Sequence, residues 1–371
     1  MSDIKKIKIK VRSSEQVVDI GASPLNIGAS PLNIGSSPLN IGASPLKMCD
    51  LFSGTGAFSL AFKNVFGNGV DIVFANDVLE HSKKIYNQQP KLNTGHFVVG
   101  DIHNIDANSI PNFDLLTGGF SCQGFSIAGK QLGFADPRSN TFWKIMDIVD
   151  KKQPQFLLLE NVSNLVSHDH GKTFKIICDN ITDRGYNITY RILDTCKITG
   201  IPQHRERIYI FCYKQNQKQN QKQPMLNNLL DFPEIEQQPL SDFLQSDDDT
   251  NLTKYYYTDK SVIYPKLIQS VVKQDTMYQY RRTYVRENKS GVVPTLTNNM
   301  GTGGHTVAFL LDTKGIRKLT PRECFNFQGF PSDYNIDGLS DSKLYQLAGN
   351  AVTYKVVEMI ATKLKLILNI V

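Results

Sequence analysis

The sequence predicts an α/β fold, a mostly parallel sheet with helices on both faces, followed by a smaller region of different character. Three observations predict it. From residue 47 to about residue 212, short apolar runs alternate with segments whose apolar positions recur at helical spacing, the pattern of strands joined by crossover helices. The first apolar run ends in a Gly-x-Gly turn that opens directly into a helical segment. Residues able to do chemistry then fall just past the ends of several apolar runs, where an open α/β sheet binds its ligands.

Taken in order, MCDLF (48–52) is the first strand and FSLAFKNVF (58–66) the first helix. IVFA (72–75) is the second strand, residues 79–88 the second helix and FVV (97–99) the third strand. DLLT (114–117) reads as a buried strand broken at Gly118-Gly119, which delivers Ser121, Cys122 and Gln123 into a loop too rich in glycine and small residues to be core. Residues 141–151 are the next helix and QFLLL (155–159) the next strand, followed by a helix at 173–184 and strands at 188–193 and 208–212. Residues 351–368 form an amphipathic helix expected to pack back on this first region.

The flanking segments differ in kind. Residues 19–46 hold four copies of a seven-residue unit of the type NIGASPL. A proline in every unit forbids a continuous helix, so residues 1–46 are expected to be a disordered extension and folding to begin near Lys47. KQNQKQNQKQ (214–223) is polar low-complexity sequence and marks a linker. Residues 231–249 carry seven acids and no Lys or Arg, which fits a solvated surface. The balance of 41 Lys+Arg over 35 Asp+Glu permits a polyanionic partner without demanding one. Six scattered cysteines show no metal-ligand spacing with the seven histidines and fit a reducing, intracellular compartment. No apolar run reaches the ~18 residues that a membrane span needs.

The Gly-rich turn SGTG after the first strand suits a nucleotide-bearing cofactor, with Asp77 and Asp101 at the ends of the next two strands able to accept from ribose or base; capping of turns is the plainer role for both. A complete GxGxxG is absent, because Ser59 stands at the third glycine position. A cofactor with a ribose and no pyrophosphate fits better, and S-adenosylmethionine is such a molecule. Cys122, Glu160 in FLLLENV (156–162), and Arg205 and Arg207 in GIPQHRERIYIF (200–211) bring a thiol, a carboxylate and guanidinium groups toward the same rim.

These motifs resemble, in order over residues 47–368, those of the DNA (cytosine-5)-methyltransferases. DLFSGTGAF is similar to the family's first cofactor motif, GGFSCQGFS to its nucleophile loop, ENV to its acid motif and QHRER to its arginine motif. RKLTPRECFNFQGFP (317–331) and AGNAV (348–352) are similar to its last two. The resemblance implies a Rossmann-like S-adenosylmethionine-dependent methyltransferase fold with a smaller target-recognition domain. It divides the chain into a catalytic domain at 47–213, a target-recognition domain at 214–320 and a hinge and returning segment at 321–371.

By the same resemblance Cys122 is the nucleophile, Glu160 holds the N3 and amino edge of the base, Arg207 contacts O2 and Arg205 a phosphate. Asp50, Phe52, Gly54, Gly56, Asp77, Asp101 and Asn350 fall on cofactor positions. Val78 stands where an aromatic residue often stacks on the adenine. The substrate is a cytosine flipped out of double-stranded DNA, gripped by Arg281, Arg282, Arg286 and Thr295 in the basic, Tyr-containing stretch 279–305. A tRNA methyltransferase would share the motifs, but that basic stretch favours duplex DNA. A monomer working beside a cognate restriction endonuclease, in the cytoplasm at the nucleoid, or in the nucleus or a viral factory for a eukaryotic or viral source, completes the expectation.

One position departs from the pattern. Ser121 stands where the family has proline before the nucleophile, a change that would make a catalytically impaired DNA-binding relative if the loop depended on that proline. Freeing one residue's backbone costs under ~1 kcal/mol, about fivefold in rate, so an active enzyme is expected.

Overall fold

The computed structural model describes residues 44–92, 95–120, 140–214, 223–246, 250–302 and 306–370. All of these belong to one compact unit, Pro38–Val371. Residues 1–43, with all but the last three residues of the heptad repeats, residues 121–139, with Ser121 and Cys122, and residues 215–222 of the expected linker lie outside the described residues.

Strand β1 (Leu46–Leu51) is buried except at Lys47, and its loop leads into helix α1 (Ala57–Phe66). Then follow β2 (Val70–Asp77), α2 (Glu80–Asn87), β3 (Phe97–Val99), β4 (Leu115–Gly119), α3 (Asn140–Lys152), β5 (Phe156–Val162) and α4 (Lys172–Thr182). β6 (Tyr186–Asp194), the short α5 (Thr195–Thr199), β7 (Gln203–His204) and β8 (Glu206–Lys214) complete the first region. Each strand predicted there is present, and all but β3 are one to four residues longer than the apolar run that marked them. Strands covered on both faces read as continuous apolar runs, and these do.

Among the described residues the large sheet has the order β3-β2-β1-β4-β5-β8-β6. β1 to β5 pair in parallel, whereas β8 runs antiparallel to both β5 and β6. The strand order reverses between β1 and β4, so the loops leaving their carboxyl ends diverge and open a crevice there. That crevice lies between the SGTG turn and Gly118-Gly119.

After α6 (Gln223–Asn227) and α7 (Tyr264–Ser270) comes an antiparallel sheet built from β9 (Met277–Arg281), β10 (Tyr284–Asn288), β12 (Ala308–Leu311) and β13 (Ile316–Lys318), in the order β10-β9-β12-β13. Leu267 of α7 closes a small core with Tyr278, Phe309 and Ile316. β11 (Val293–Pro294) instead pairs in parallel with β7, joining this region to the arginine motif. The acidic segment 231–239 is extended and exposed for most of its length.

Helices α8 (Pro321–Phe327), α9 (Asp341–Asn350) and α10 (Tyr354–Leu368) bring the chain back. α10 packs on α1, where Asn64 Nδ2 donates to Tyr354 Oη at 2.7 Å and Lys365 Nζ to Val65 O at 3.2 Å. The helix begins at Tyr354 rather than residue 351, because Ala351 is extended (ψ 141°) and its carbonyl is engaged by Arg205.

A buried ion network fixes α8 to the antiparallel sheet. Arg317, fully buried, places Nε 2.6 Å from Asp312 Oδ2 and both terminal nitrogens within 2.9 Å of Glu323. Glu323 also closes a capping box with Thr320 at the start of α8. Removing one partner leaves two buried carboxylates uncompensated. Arg317→Ala is therefore expected to cost about 3–5 kcal/mol in urea unfolding; a loss under ~1 kcal/mol would contradict the network's role.

Candidate active site and cofactor crevice

The turn after β1 is built from left-handed residues: Phe52 has φ 56°, Gly54 51° and Gly56 74°. A left-handed phenylalanine is uncommon, and here the turn is stitched down on β2. Ser53 N donates to Asn76 O at 2.8 Å, and Gly54 N donates to Asp77 Oδ2 at 3.0 Å. The other Asp77 oxygen accepts from Leu79 N at 2.9 Å. Asp77 thus joins two loops, while each of its oxygens keeps a further lone pair for a ligand. Val78 beside it is 60% exposed, an apolar surface at the crevice.

Asp101 accepts from the backbone N–H of His103 at 3.0 Å and lies 2.7 Å from its ring. The backbone N–H first, and then the ring, hold this carboxyl below the ordinary range. Both acids perform the local capping that their positions suggested and remain open to solvent at the same rim. Asn350, the last residue of α9, is exposed.

Two expected cofactor residues carry structural roles in the turn. Asp50 is wholly buried and accepts from Ser59 Oγ at 2.6 Å and Thr117 Oγ1 at 2.8 Å. Burial pushes its carboxyl up to about 6, with the two hydroxyls holding it from going further. It ties β1, β4 and α1 together beneath the crevice and does not face it. Gly56 is needed for packing, since a β-carbon there would lie 2.8 Å from both Leu92 and Tyr86.

On the other side of the crevice, Gly119 of β4 pairs with Glu160 of β5. A β-carbon on Gly119 would lie 3.2 Å from Glu160 Oε2 and 3.6 Å from Val352, so the missing side chain leaves the carboxylate its place. Arg207 Nε lies 3.2 Å from Glu160 Oε1, and both side chains are largely buried. Burial raises the Glu160 carboxyl above its usual range, opposed by Arg207 and then Arg205. Asn161 adds a contact that reasoning from the motif missed. Its Nδ2 donates to Phe120 O at 2.9 Å and so fixes the chain where it leaves β4.

Arg205 corrects an expectation. It is only 2% exposed and cannot reach a phosphate. Its Nη1 donates to Leu296 O at 3.0 Å, and its Nη2 donates to Gly349 O at 3.3 Å and Ala351 O at 2.8 Å. Burial, then the like charge of Arg207, lowers its pKa to about 9, still protonated at neutral pH. The side chain therefore clamps two backbone segments, at Leu296 and at Gly349–Ala351, beside Glu160. Gln203, also missed, reinforces the clamp by donating to Phe327 O at 2.7 Å and accepting from Leu296 N at 3.3 Å.

The expected DNA contacts separate likewise. Thr295 donates its hydroxyl to His204 O at 2.7 Å, supporting the β7–β11 pairing, so that donor is already engaged. Arg281 pairs with Tyr284, and Arg286 with Gln279, on one face of the β9–β10 hairpin. Arg286 Nη2 donates to Gln279 Oε1 at 2.7 Å. Arg282 sits in the turn with φ 59°. Tyr280 points to the opposite face, against the α7 core, with Lys266 over its ring. Asp194, His204 and Glu206 bring ligand atoms within 4.8 Å of one another, but Asp194 is already capping α5 and lies 2.6 Å from His204 Nδ1.

A family model described as C-5 cytosine-specific DNA methylase matches residues 46–366. The chain is 40% identical over 317 residues to the Type II methyltransferase M.Bsp6I of Bacillus sp. (strain RFL6), covering 85% of this chain and 97% of that one. It is 32% identical over 331 residues to the Type II methyltransferase M.HhaI of Haemophilus parahaemolyticus, covering 87% and 95%. In fold it is similar to the Entamoeba histolytica methyltransferase EhMeth, at a TM-score of 0.68 with 19% identity over 86% of this chain and 98% of that one. It is also similar to the S. pombe Dnmt2 methyltransferase, at a TM-score of 0.66 with 21% identity over 87% and 99%. The crevice at the β1–β4 reversal and the match along nearly the whole folded chain agree: this protein belongs to the C-5 cytosine-specific DNA methylases.

Proposed function

We propose that this DNA cytosine-5 methyltransferase takes its methyl group from S-adenosylmethionine and acts on a cytosine flipped out of double-stranded DNA, using Cys122, Glu160 and Arg207. The observation that carries the reading is the Glu160–Arg207 pair, buried against Gly119 where β4 leads toward Cys122.

The chemistry of the base explains these residue types. Carbon 5 of cytosine is a poor nucleophile. The Cys122 thiolate adds to carbon 6 and forms a C–S bond, while the displaced electron pair is drawn toward N3, which takes a proton from Glu160. Carbon 5 is then enamine-like and open to an electrophilic methyl group. Loss of the carbon-5 proton restores the double bond and expels the thiolate, and N3 returns its proton to Glu160. Arg207 donates to O2, its guanidinium held by the same carboxylate.

The crevice residues suit S-adenosylmethionine. Asp77 and Asp101 offer acceptors for hydroxyl and amino groups, Phe52 and Gly54 shape the turn against which the cofactor would lie, and Val78 offers an apolar face. When bound, the cofactor supplies a methyl group on a cationic sulfonium, and neither carboxylate would oppose that charge. Asn350, exposed at the end of α9, is a further candidate contact.

Residues 47–213 act as the catalytic domain, 214–320 as the target-recognition domain and 321–371 as the hinge and returning segment. The Arg281, Tyr284, Arg286 face enters a DNA groove, with Arg282 at the hairpin tip. If Arg286 reads a base edge, Arg286→Ala costs ~1–3 kcal/mol of binding and relaxes one position of the target; a phosphate contact weakens all sequences alike. The names of the Type II relatives support a restriction-modification setting with a cognate endonuclease, and on this reading the chain works as a monomer at the nucleoid. Among the described residues no helix is long and apolar enough to cross a membrane. Bisulfite sequencing of DNA from cells expressing the chain should show full protection of one cytosine in one short sequence, and complete conversion everywhere would overturn the reading.

A further inference from the structure

Glu160 lies directly opposite Tyr209 across the β5–β8 ladder. Directly paired residues in an antiparallel ladder point to the same face, with β-carbons about 5 Å apart. Tyr209 is 1% exposed, and its hydroxyl has no hydrogen-bond partner among the described residues. The same holds for Arg205 Nε, although both terminal nitrogens of that guanidinium donate, to three carbonyls in all. Two unspent, buried donors therefore flank the one carboxylate that faces the base. A buried donor left unmade is costly enough that such groups are almost always satisfied by protein or water.

We infer that Tyr209 is a positioning residue for Glu160, its hydroxyl and the Arg205 Nε–H joined through a bound water to the Glu160 carboxylate. The inference rests on Glu160 acting as the acid at N3. Neutral cytosine presents an acceptor at N3 and a donor at its amino group, so a carboxyl facing both must carry one proton and accept with its other oxygen. That proton must then leave as carbon 6 is attacked. Burial opposes the departure, because it disfavours the carboxylate. Arg207 and then Arg205 favour it by their charge, and the Tyr209 hydroxyl, joined through the water, adds a donor to the anion. Among the described residues Arg207, Arg205 and Tyr209 are the charged and titratable groups acting on or paired with this carboxyl, with uncharged Gly119 beside its Oε2.

The sign follows. Activity that needs protonated Glu160 is lost as pH rises through its pKa, and removing the Tyr209 hydroxyl weakens support for the anion. Single-turnover methylation by the full chain, followed from about pH 6 to 10, should show the alkaline limb of Tyr209→Phe displaced upward by about one unit. The acid limb, set by the thiol, and the KM for DNA should be unchanged. Site-specific 3-fluorotyrosine at 209, a stronger donor, should move the alkaline limb the other way, a reversal that a purely structural role would not produce. An unmoved limb in both variants, or the same direction in both, overturns the inference. Glu160→Gln serves as the control for the underlying reading: residual activity that keeps the alkaline limb would remove Glu160 as the acid, whereas its loss with an unmoved Tyr209→Phe limb removes only the role of Tyr209.

Discussion

Cys122→Ala is expected to lower methyl transfer by more than ~10⁴-fold while leaving S-adenosylmethionine affinity within about twofold. The two effects separate because the proposed cofactor residues lie on β1, β2 and β3 and their loops and, for Asn350, at the end of α9, whereas the thiol follows β4 in the chain. A thiol of ordinary pKa is only a few per cent ionised at neutral pH, so the loop and the arginine beside Glu160 must favour the thiolate for useful turnover. Isothermal titration with the cofactor and a radiolabelled methyl assay on the same preparation check both halves. A variant that still methylates would end the covalent mechanism. One that loses cofactor binding as well would mean that the loop, and not the thiol alone, had been damaged.

Gly349→Ala is expected to be the most damaging single-methyl substitution in the returning segment. A β-carbon there would lie 2.1 Å from the carbonyl carbon of Thr297 and 2.3 Å from Asn298 N. The obstacle is backbone and cannot rotate away, so α9 and residues 296–298 must separate. Arg205 holds both segments, through Leu296 O and Gly349 O, and cannot keep both bonds after such a shift. The cost belongs at the upper end of the ~1–3 kcal/mol typical of overpacking, or beyond it. For a domain of this size that is a fall of roughly 5–10 °C in melting temperature. Turnover should fall with it, because Val352 and Glu160 meet at Gly119 on the same side. Calorimetry with a parallel activity assay decides the matter, and an alanine variant of native stability would mean that α9 and residues 297–298 do not touch as described.

The sheet was legible because its parallel strands are buried on both faces and stand out as apolar runs between helical segments. The reversal of β8 was not legible, because direction depends on where a connection returns, and the run IYIF looks the same in either direction. In the crevice, motif position located the right loops without saying which way each side chain turns. Asp50 and Asp77 both stand at strand ends near the turn, yet one carboxylate is sealed under Ser59 and Thr117 while the other stays at the rim. Arg205 and Arg207 are two residues apart in one motif, and only contacts with Leu296, Gly349 and Ala351, distant in sequence, show that the first is a clamp. Asn161, Gln203 and Tyr209 lay inside quoted motifs. Their roles depend on carbonyls and carboxylates brought close by the fold, which spacing along the chain does not encode.

The covalent step itself can be caught. Duplex DNA carrying 5-fluorocytosine at the target position, incubated with the full chain and S-adenosylmethionine, cannot release the enzyme, since fluorine replaces the proton that must leave carbon 5. A denaturation-resistant complex should form, and peptide mapping should place the attached, methylated base on Cys122. No complex on DNA that the enzyme methylates in its unfluorinated form, or attachment at any other residue, would contradict the account.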